Sequence, residues 1–318
     1  MKILANDGIS SSGLKKLEEA GFEVITTNVA QEQLENYINE NEISGILVRS
    51  ATTVRKELID TTPSLKLIGR GGVGMDNIDV DYAESKGLKV INTPAASSHS
   101  VAELVFSHLF SCVRFLHDSN RNMPLEGDNN FKKLKKNYSK GIELKGKTLG
   151  VIGFGRIGQE TAKIALGIGM DVVYYDKYIE STELELNFSD NKSLSFILES
   201  SSLDELIKKS DFITLHVPAQ KEYIIGKNEF NNMKDGVGII NAARGGVIDE
   251  SELIKYLDNK KVSFAGLDTF ENEPNPSVKL LMHPKISLSP HIGAATSEAQ
   301  DRIGIELADQ IINYFNNA

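Results

Sequence analysis

GKTLGVIGFGRIG, residues 146–158, joins a short apolar strand to the start of a helix through a glycine-rich turn. Gly153, Gly155 and Gly158 give that turn the spacing G-x-G-x-x-G. In a dinucleotide-binding βαβ unit the first glycine permits the tight turn, and the second lets backbone amides approach a pyrophosphate. The third glycine allows the helix to pack closely on the strand, and the helix N-terminus favours the anion. This stretch therefore predicts a dinucleotide site.

An acidic residue stands where such a site needs one. The next predicted strand, Asp171–Tyr175, ends at Asp176, which lies 18 residues after Gly158. A carboxylate there accepts from the ribose hydroxyls and repels the 2′-phosphate of NADP, and Lys177 alone is too little to reverse this repulsion. The combination predicts NAD as the cofactor. The alternative is a structural glycine turn followed by an unrelated surface aspartate.

Short apolar runs alternate with helix-like segments along most of the chain, which is typical of a parallel α/β sheet. A capping box formed by Ser100 and Glu103 opens a predicted helix from Val101 to about Asn120, and this helix separates two series of strands. We therefore predict an α/β protein with two parallel sheets and two domains. The predicted strands are Lys2–Ala5, Glu23–Thr26, Gly45–Val48, Lys66–Gly69 and Lys89–Asn92, then Thr148–Ile152, Asp171–Tyr175, Phe212–His216, Gly238–Asn241, Phe264–Leu267 and Ile286–Leu288.

Three other segments are interpreted from local composition. Ser11 and Ser12 are N-cap candidates for a helix at Leu14–Ala20. Asn122–Lys140 is rich in Asn and Lys and has no clear periodicity, so we expect a long surface excursion. Ile179–Ser200 contains many serines and scattered charges and is interpreted as an insertion in the second domain.

Composition narrows the class of protein. The 318 residues suit two domains, and the formal net charge of −9 argues against a general nucleic-acid binder. No apolar run approaches the roughly 20 residues that span a bilayer. The single cysteine, Cys112, cannot form an internal disulfide, and the histidines lack metal-site spacing, so we expect no metal site. We expect a cytoplasmic protein with no nucleic-acid and no membrane partner.

Several further segments resemble those of the D-isomer-specific 2-hydroxyacid dehydrogenases, and the resemblance covers nearly the whole chain. They are VRSAT (48–52), GRGGVGMDNID (69–79), INTP (91–94), VAEL (101–104), GKTLGVIGFGRIG (146–158), DFITLHVP (211–218), INAARGGVIDE (240–250), GLDTFENEP (266–274) and SPHIGAATSEAQ (289–300). The resemblance implies two Rossmann-like domains. It places a discontinuous substrate domain at 1–97 and 292–318 and an inserted NAD-binding domain at 98–291.

Three residues match the catalytic triad of that family. Arg244 follows a strand end, and its planar guanidinium suits the carboxylate of a 2-hydroxy acid. His291 would take the hydroxyl proton near neutral pH. Glu273 would fix the imidazole tautomer and favour its protonated form. The rivals of Glu273 and His291 are Glu271, two residues away, and the histidines His216 and His283.

The resemblance also implies ligand contacts. For the cofactor they are Val73, Gly153, Gly155, Arg156, Ile157, Gly158, Asp176, Val217, Ala242, Ala243, Asp268, His291 and Gly293. Asp268 would accept from the NH₂ of the nicotinamide carboxamide. For an anionic substrate they are Arg49, Ser50, Gly72 and Val73, with the amides of the loop 71–74.

The VRSAT and GVGMDNID segments favour a substrate that carries both a phosphate and a carboxylate. The function implied is NAD-dependent oxidation of 3-phospho-D-glycerate to 3-phosphohydroxypyruvate, the first step of serine biosynthesis. Glycerate or hydroxypyruvate reduction is the alternative enzyme activity, and a non-catalytic NAD-binding corepressor is the alternative outside enzymes. Because longer relatives carry a serine-binding regulatory domain and this sequence does not extend into one, we expect no serine inhibition.

The helix from Val101 supports a prediction about assembly. Its apolar residues cover more than one face, with Phe106, Phe110 and Phe115 outside the main stripe, so we expect a homodimer held by this helix. The excursion at 122–140 would then wrap around the partner, and one of its lysines could reach the partner's phosphate pocket. The alternatives are a helix buried between the two domains of one chain and, for the lysines, a solvated basic face. The lysines are Lys132, Lys133, Lys135, Lys136 and Lys140.

Overall fold

The computed structural model describes residues 1–316 and divides them into two compact units. One unit consists of Met1–Ser100 together with the residues from Ala294 onward, and the other is Val101–Gly293. The first unit therefore ends at residue 100 against an expected 97, and it resumes at residue 294 against an expected 292.

The first unit contains a five-stranded parallel sheet in the order β2-β1-β3-β4-β5. Its core is formed by the nearly continuous apolar strands, as expected when both faces of a parallel sheet are covered. The strands are β1 (Lys2–Ala5), β2 (Glu23–Ile25), β3 (Gly45–Val48), β4 (Leu67–Arg70) and β5 (Lys89–Asn92). The helices between them are α1 (Ser11–Glu19), α2 (Leu34–Glu40), α3 (Lys56–Thr61) and α4 (Val80–Ser85).

The C-terminal helix α12 (Ser297–Asn316) completes this unit. Leu307 and Ile311 of α12 are buried in one apolar cluster with Leu17 of α1 and Ile3 of β1. The last residues of the described chain therefore bury apolar surface against the first ones.

The second unit contains a six-stranded parallel sheet in the order β13-β12-β11-β10-β6-β7. The strands are β6 (Thr148–Ile152), β7 (Asp171–Tyr175), β10 (Phe212–Leu215), β11 (Val237–Asn241), β12 (Val262–Leu267) and β13 (Ile286–Leu288). Helix α5 (Ser98–Val113) begins in the last residues of the first unit and continues in the second. The other helices of the second unit are α6 (Leu116–Asn137), α7 (Arg156–Gly167), α8 (Leu203–Lys209), α9 (Lys227–Asn232), α10 (Glu250–Asp258) and α11 (Val278–Leu281). Strand order reverses between β6 and β10, and ligands of open α/β sheets bind at such a point.

The structure corrects two helix starts. Ser10, not Ser11 or Ser12, caps α1, because its hydroxyl accepts from the amide of Gly13 at 3.2 Å. Helix α5 begins at Ser98, so Ser100 is a buried residue inside the helix and not its cap. Strand bounds differ from the predicted ones by one or two residues, for example at Val262, where β12 begins before the predicted Phe264.

Residues 122–140 lie mostly at the surface as expected, but they are helical and not irregular, because helix α6 extends to Asn137. This helix lacks a broad apolar stripe, and polar contacts one turn apart support it instead. Asn122 Nδ2 donates to Asp118 O at 3.0 Å, and Asn130 Nδ2 donates to Glu126 Oε2 at 3.0 Å. The helix accommodates Pro124 and departs from helical angles at Asn130 (φ −117°, ψ 18°).

The interpretation of α5 as a surface with surplus apolar area was wrong. Phe106 is buried, and only Phe110 among the large apolar residues of this helix is exposed. The helix packs in a cluster with Leu149 and Val151 of β6 and Ile240 of β11. One chain therefore buries most of the side chains that suggested a partner.

The segment at 179–200 forms an antiparallel hairpin of β8 (Ser181–Asn187) and β9 (Ser193–Glu199). Leu184 pairs across the hairpin with Phe196 and is buried in the cluster that also contains Ala162 and Ala165 of α7. Across the described residues, none of the helices has both the length and the apolar character needed to cross a membrane.

Candidate active site

Three neighbouring strands of the second unit end at the predicted catalytic residues. Arg244 follows β11, Glu273 lies in the loop after β12, and His291 lies three residues after β13. Because β11, β12 and β13 are adjacent and parallel, their carboxyl ends meet at one edge of the sheet. The sheet topology thus brings the three loops to the same edge.

His291 and Glu273 are in direct contact. Nδ1 of His291 lies 2.8 Å from Oε2 of Glu273, and the amide of Phe270 donates to Oε1 of the same carboxylate at 3.0 Å. Glu273 is thereby held by backbone on one oxygen and holds the imidazole with the other. This arrangement fixes a proton on Nδ1 and leaves Nε2 available as a proton acceptor.

The rival residues occupy other positions. Glu271 Oε1 accepts from the amide of Glu250 at 3.0 Å, and Glu250 Oε1 accepts from the amide of Glu271 at 2.8 Å, so Glu271 holds the start of α10. Burial raises the pKa of Glu250. Nε2 of His283 lies 3.4 Å from Oδ1 of Asp258. Desolvation lowers the pKa of His216 to about 3, so this imidazole stays neutral.

Arg244 sits in a turn that its neighbours hold. Asn241 Nδ2 donates to the carbonyl of Arg244 at 2.9 Å, and Asn241 Oδ1 accepts from the amide of Ala243 at 3.0 Å. Nη1 of Arg244 donates to the carbonyl of Ala243 at 2.6 Å. The half-buried guanidinium is thus placed directly beyond β11, where it can meet a carboxylate.

Asp268 has a role that the sequence analysis missed. The residue is 1% exposed, and its carboxylate accepts from the amides of Ile292 at 2.8 Å and Gly293 at 2.9 Å. Its carbonyl accepts from the amide of His291 at 2.8 Å. One buried residue therefore binds three consecutive amides of the loop that carries His291, whose φ of 53° lies in the left-handed region. Contact with the nicotinamide carboxamide stays a prediction.

The glycine-rich turn has the shape that a pyrophosphate requires. Gly153 has a φ of 89°, and a Cβ there would lie 2.5 Å from the carbonyl oxygen of His216, at the end of β10. Gly158 packs against the carbonyl of Gly153, so a side chain at either position would open the turn. A Cβ on Gly155, the N-cap of α7, would meet no atom within 4 Å, and this open space lies at a helix N-terminus.

Asp176 is held rigidly at the end of β7. The amide of Phe154 donates to Oδ2 at 2.6 Å, and the amides of Tyr178 and Ile179 donate to Oδ1 at 2.8 and 3.1 Å. The carboxylate is half-buried and joins the glycine-rich turn to the start of the β8–β9 hairpin. A fixed negative charge at this point suits ribose hydroxyls and opposes a 2′-phosphate.

Replacing Asp176 with asparagine should narrow the preference for NAD over NADP by about tenfold or more, since a charge-assisted hydrogen bond contributes roughly 1.5–3 kcal/mol. Asparagine keeps an acceptor but removes the charge that repels a phosphate. Asp176→Ala should also narrow the preference for NAD over NADP, and it should weaken NAD binding because the acceptor is lost. Cofactor affinities measured by calorimetry decide the point, and an unchanged ratio in both variants would show that another residue selects the cofactor.

The remaining cofactor candidates are distributed over the two units. Ala242 and Ala243 are buried beyond β11, Ile157 and Val217 are half-buried, and Arg156 is exposed in the first turn of α7. Val73 belongs to the first unit, where Asn92 Nδ2 donates to its carbonyl at 2.7 Å.

In the first unit, Arg49 follows β3 in a loop anchored by Asp7. Asp7 Oδ2 accepts from the amides of Arg49 at 2.6 Å and Thr52 at 3.1 Å, and Asn77 Nδ2 donates to the carbonyl of Arg49 at 2.8 Å. Nη2 of Arg49 donates to Oε1 of Gln300, and burial lowers the pKa of the guanidinium while Asp7 opposes that change. Ser50 is exposed beside it.

A second arginine, which the sequence analysis did not single out, ends the adjacent strand. Arg70 pairs with Val48 in the β3–β4 register, and its Nη1 donates to the carbonyl of Gly71 at 3.5 Å. Gly72, with a φ of 152°, lets this guanidinium lie against the backbone, because a Cβ there would collide with Nη1. The sequence could have indicated Arg70, because in GRGGVG (69–74) an arginine at a strand end is followed by three closely spaced glycines.

A glycine-rich turn at the switch point of a parallel sheet, with a His–Glu pair at the same edge, defines a dinucleotide-dependent dehydrogenase. Residues 106–293 match the family described as D-isomer specific 2-hydroxyacid dehydrogenase, NAD binding domain. The chain belongs to this family of NAD-dependent oxidoreductases.

Curated relatives span most of the chain. A hydroxypyruvate reductase of Thermotoga maritima is 42% identical over 98% of this chain and 97% of its own length. A D-3-phosphoglycerate dehydrogenase of Methanocaldococcus jannaschii is 40% identical over 98% of this chain, which spans only 57% of that relative's length. The crystal structure of NAD⁺-bound 3-phosphoglycerate dehydrogenase from Entamoeba histolytica superimposes with a TM-score of 0.77 at 28% identity, covering 100% of this chain and 96% of that one.

Proposed function

We propose that this protein oxidises 3-phospho-D-glycerate to 3-phosphohydroxypyruvate with NAD. The observation that carries the proposal is the pair of arginines, Arg49 and Arg70, at the carboxyl ends of adjacent strands of the first unit. A phosphorylated, carboxylated substrate has about three negative charges, so a chain of net charge −9 must supply local positive charge to bind it. Ser50, Gly72 and Val73 add a hydroxyl and backbone amides to this group.

The chemistry follows from the residues at the edge of the second sheet. Arg244 binds the substrate carboxylate and orients the adjacent C–OH group. Nε2 of His291 takes the hydroxyl proton, and Glu273 stabilises the imidazolium through Nδ1. Bound NAD would supply the acceptor for the hydride that leaves the same carbon. The products are the 2-oxo acid, NADH and one proton.

The residues for NAD binding in this proposal follow the carboxyl ends of β6, β7, β10, β11 and β13. The amides at the N-terminus of α7 would bind the pyrophosphate across Gly155, and Asp176 would accept from the adenosine ribose. Ile157, Val217, Ala242 and Ala243 would supply apolar contact, Arg156 a positive charge near the phosphates, and Gly293 a backbone contact.

Reduction of hydroxypyruvate, or oxidation of glycerate in reverse, is the second candidate. It is favoured by the relative from Thermotoga maritima, which matches this chain over nearly the full length of both. The two candidates share the catalytic residues and differ in the need for a phosphate site. A variant that lowers activity only toward phosphorylated substrates would distinguish the two candidates.

The deciding experiment compares 3-phosphoglycerate, glycerate and lactate as substrates of the purified chain with NAD. We expect a kcat/KM for 3-phosphoglycerate at least tenfold above that for glycerate, and Arg49→Gln should remove most of that advantage. Arg55→Gln is the matched control, because Arg55 lies in the same unit and pairs with Asp79 on the surface. If kcat/KM were higher for glycerate than for 3-phosphoglycerate and did not change in Arg49→Gln, the second candidate, hydroxypyruvate reduction, would be favoured.

Glu273→Gln should lower kcat for oxidation by about tenfold or more, since a charge-assisted hydrogen bond contributes roughly 1.5–3 kcal/mol. The neutral amide no longer stabilises the imidazolium that forms when His291 accepts the hydroxyl proton, and steady-state kcat measures the loss. Glu271→Gln is the control, since its carboxylate contacts the amide of Glu250 instead. A loss of kcat in Glu271→Gln and not in Glu273→Gln would reverse the assignment.

We also propose a homodimer that forms through α6, because α5 is packed within one chain. Leu125 is 79% exposed, and Leu116 and Phe131 are exposed on the same helix. The lysines at 132, 133, 135 and 136 follow Phe131 directly. Large exposed apolar residues on one helix are typical of an interaction surface. Sedimentation at micromolar concentration should give twice the chain mass, and Leu125→Glu should reduce it. Full activity at the mass of one chain would contradict the dimer.

A further inference from the structure

A buried chain of hydrogen bonds lies beneath the His291 loop. His108, on α5, has Nδ1 2.9 Å from Ser287 Oγ and Nε2 2.8 Å from Ser289 Oγ. Ser289 Oγ donates to Asp268 Oδ1 at 2.6 Å. All four side chains belong to the second unit, and none of them lies in the glycine-rich turn.

The direction of each bond in this chain follows from Asp268. An ionised carboxylate only accepts, so the single hydroxyl proton of Ser289 is donated to Asp268. Ser289 Oγ must then accept from His108, which places a proton on Nε2. Nδ1 of the neutral imidazole is the acceptor, and it receives the hydroxyl proton of Ser287. Each group therefore donates a hydrogen bond to the next, in the order Ser287, His108, Ser289 and Asp268.

The surroundings favour this neutral form. Burial is the main cause that lowers the pKa of His108; the charge of Asp268 opposes this effect, and His117 adds to it. The site is also shaped for this ring, because β12 has a glycine where α5 crosses it. A Cβ on Gly266 would lie 2.7 Å from Cβ of His108 and 3.1 Å from Cγ.

The end of the chain controls the backbone around the proton acceptor. Asp268 binds the amides of His291, Ile292 and Gly293 through its carbonyl and its two carboxylate oxygens. Its carboxylate orientation is in turn fixed by Ser289. A shift of about 1 Å in a reacting group can lower a rate by about 10²-fold, so the support of this loop affects turnover.

We propose that His108 is a positioning residue for proton transfer. As the Nε2–H tautomer it fixes Ser289, Ser289 fixes Asp268, and Asp268 holds the backbone that presents His291 to Glu273. The effect on turnover rests on the proposed role of His291, whereas the support of the loop can be measured independently of activity.

The first measurement is nitrogen-15 NMR of the full chain labelled at histidine. We expect the signals of His108 to show a proton on Nε2 and none on Nδ1 between pH 6 and 8. In Ser289→Ala, which leaves α5 intact, the His291 signals should shift or broaden. A doubly protonated or Nδ1–H form of His108, or unchanged His291 signals in this variant, would overturn the proposal.

The second measurement is steady-state kinetics. His108→Leu should lower kcat by about tenfold to 10²-fold with less than about threefold change in KM, because Arg244 and the first unit are untouched. His108→Gln, which can still donate to Ser289, should restore most of the activity. The control is His117→Leu, since His117 bonds the carbonyl of Pro284 at 3.2 Å and lies outside the chain.

The double variant His108→Leu with Ser289→Ala should be little worse than either single variant, as for residues that act through one path. Additive losses, or equal losses in His117→Leu, would show a general packing effect and overturn the proposal. If His291 responds to Ser289→Ala while His291→Ala remains active, the loop support stands and the proposed function fails instead.

Discussion

Alanine in place of His291 should lower kcat by about 10²–10⁴-fold, the range for loss of a general base. NAD affinity should change little, because the glycine-rich turn and Asp176 bind the cofactor in the proposed function. Nε2 of His291 is the atom left for the substrate once Nδ1 is bonded to Glu273 at 2.8 Å. Steady-state rates and calorimetric titration with NAD measure the two quantities separately.

His283→Ala is the matched control for this variant, because His283 also lies on a loop of the second unit but contacts Asp258. It should keep kcat within a few-fold of the original chain. A His291→Ala protein that folds, binds NAD and retains most of its turnover would remove His291 from the mechanism.

Arg244→Lys should lower kcat/KM by about 10²-fold although the charge is retained. A lysine ammonium is a point charge and cannot make the two parallel hydrogen bonds that a guanidinium makes to a carboxylate. The loss should appear in both kcat and KM, since the carboxylate is held in the ground state and oriented for hydride loss. Turnover with saturating NAD and varied substrate measures it.

Arg114→Lys is a suitable comparison, because Arg114 is exposed at the end of α5 in the same unit. Its kinetics should match those of the unchanged chain. If Arg244→Lys had the same kcat and KM as the unchanged chain, charge alone would suffice at this position, and bidentate binding would be contradicted.

The features that the sequence predicted well are those with a local cause. Residues 148–158 form the strand, turn and helix start as expected, since the apolar run, the glycines and the helix are contiguous in the chain. The other strands of both sheets were placed to within about two residues for the same reason. A run of β-branched and apolar residues buried on both faces has few other stable environments.

Prediction failed where polar contacts replaced an apolar stripe. Helix α6 was missed because its i to i+4 pairs, such as Asn122 with Asp118, leave no hydrophobic periodicity to detect. The hairpin of β8 and β9 was seen only as an insertion, because its register depends on Leu184 finding a buried position against α7.

The sequence by itself determined the dinucleotide turn, the acid at Asp176 and the residue types for acid–base chemistry, because each depends on neighbours within a few positions. Only the tertiary structure decided that Glu273 and not Glu271 contacts His291, and that α12 packs with α1. It alone joined His108 to Asp268, 160 residues further along the chain, through Ser289. Such contacts depend on which strands lie side by side and how their loops pack, and no local pattern of residues encodes that arrangement.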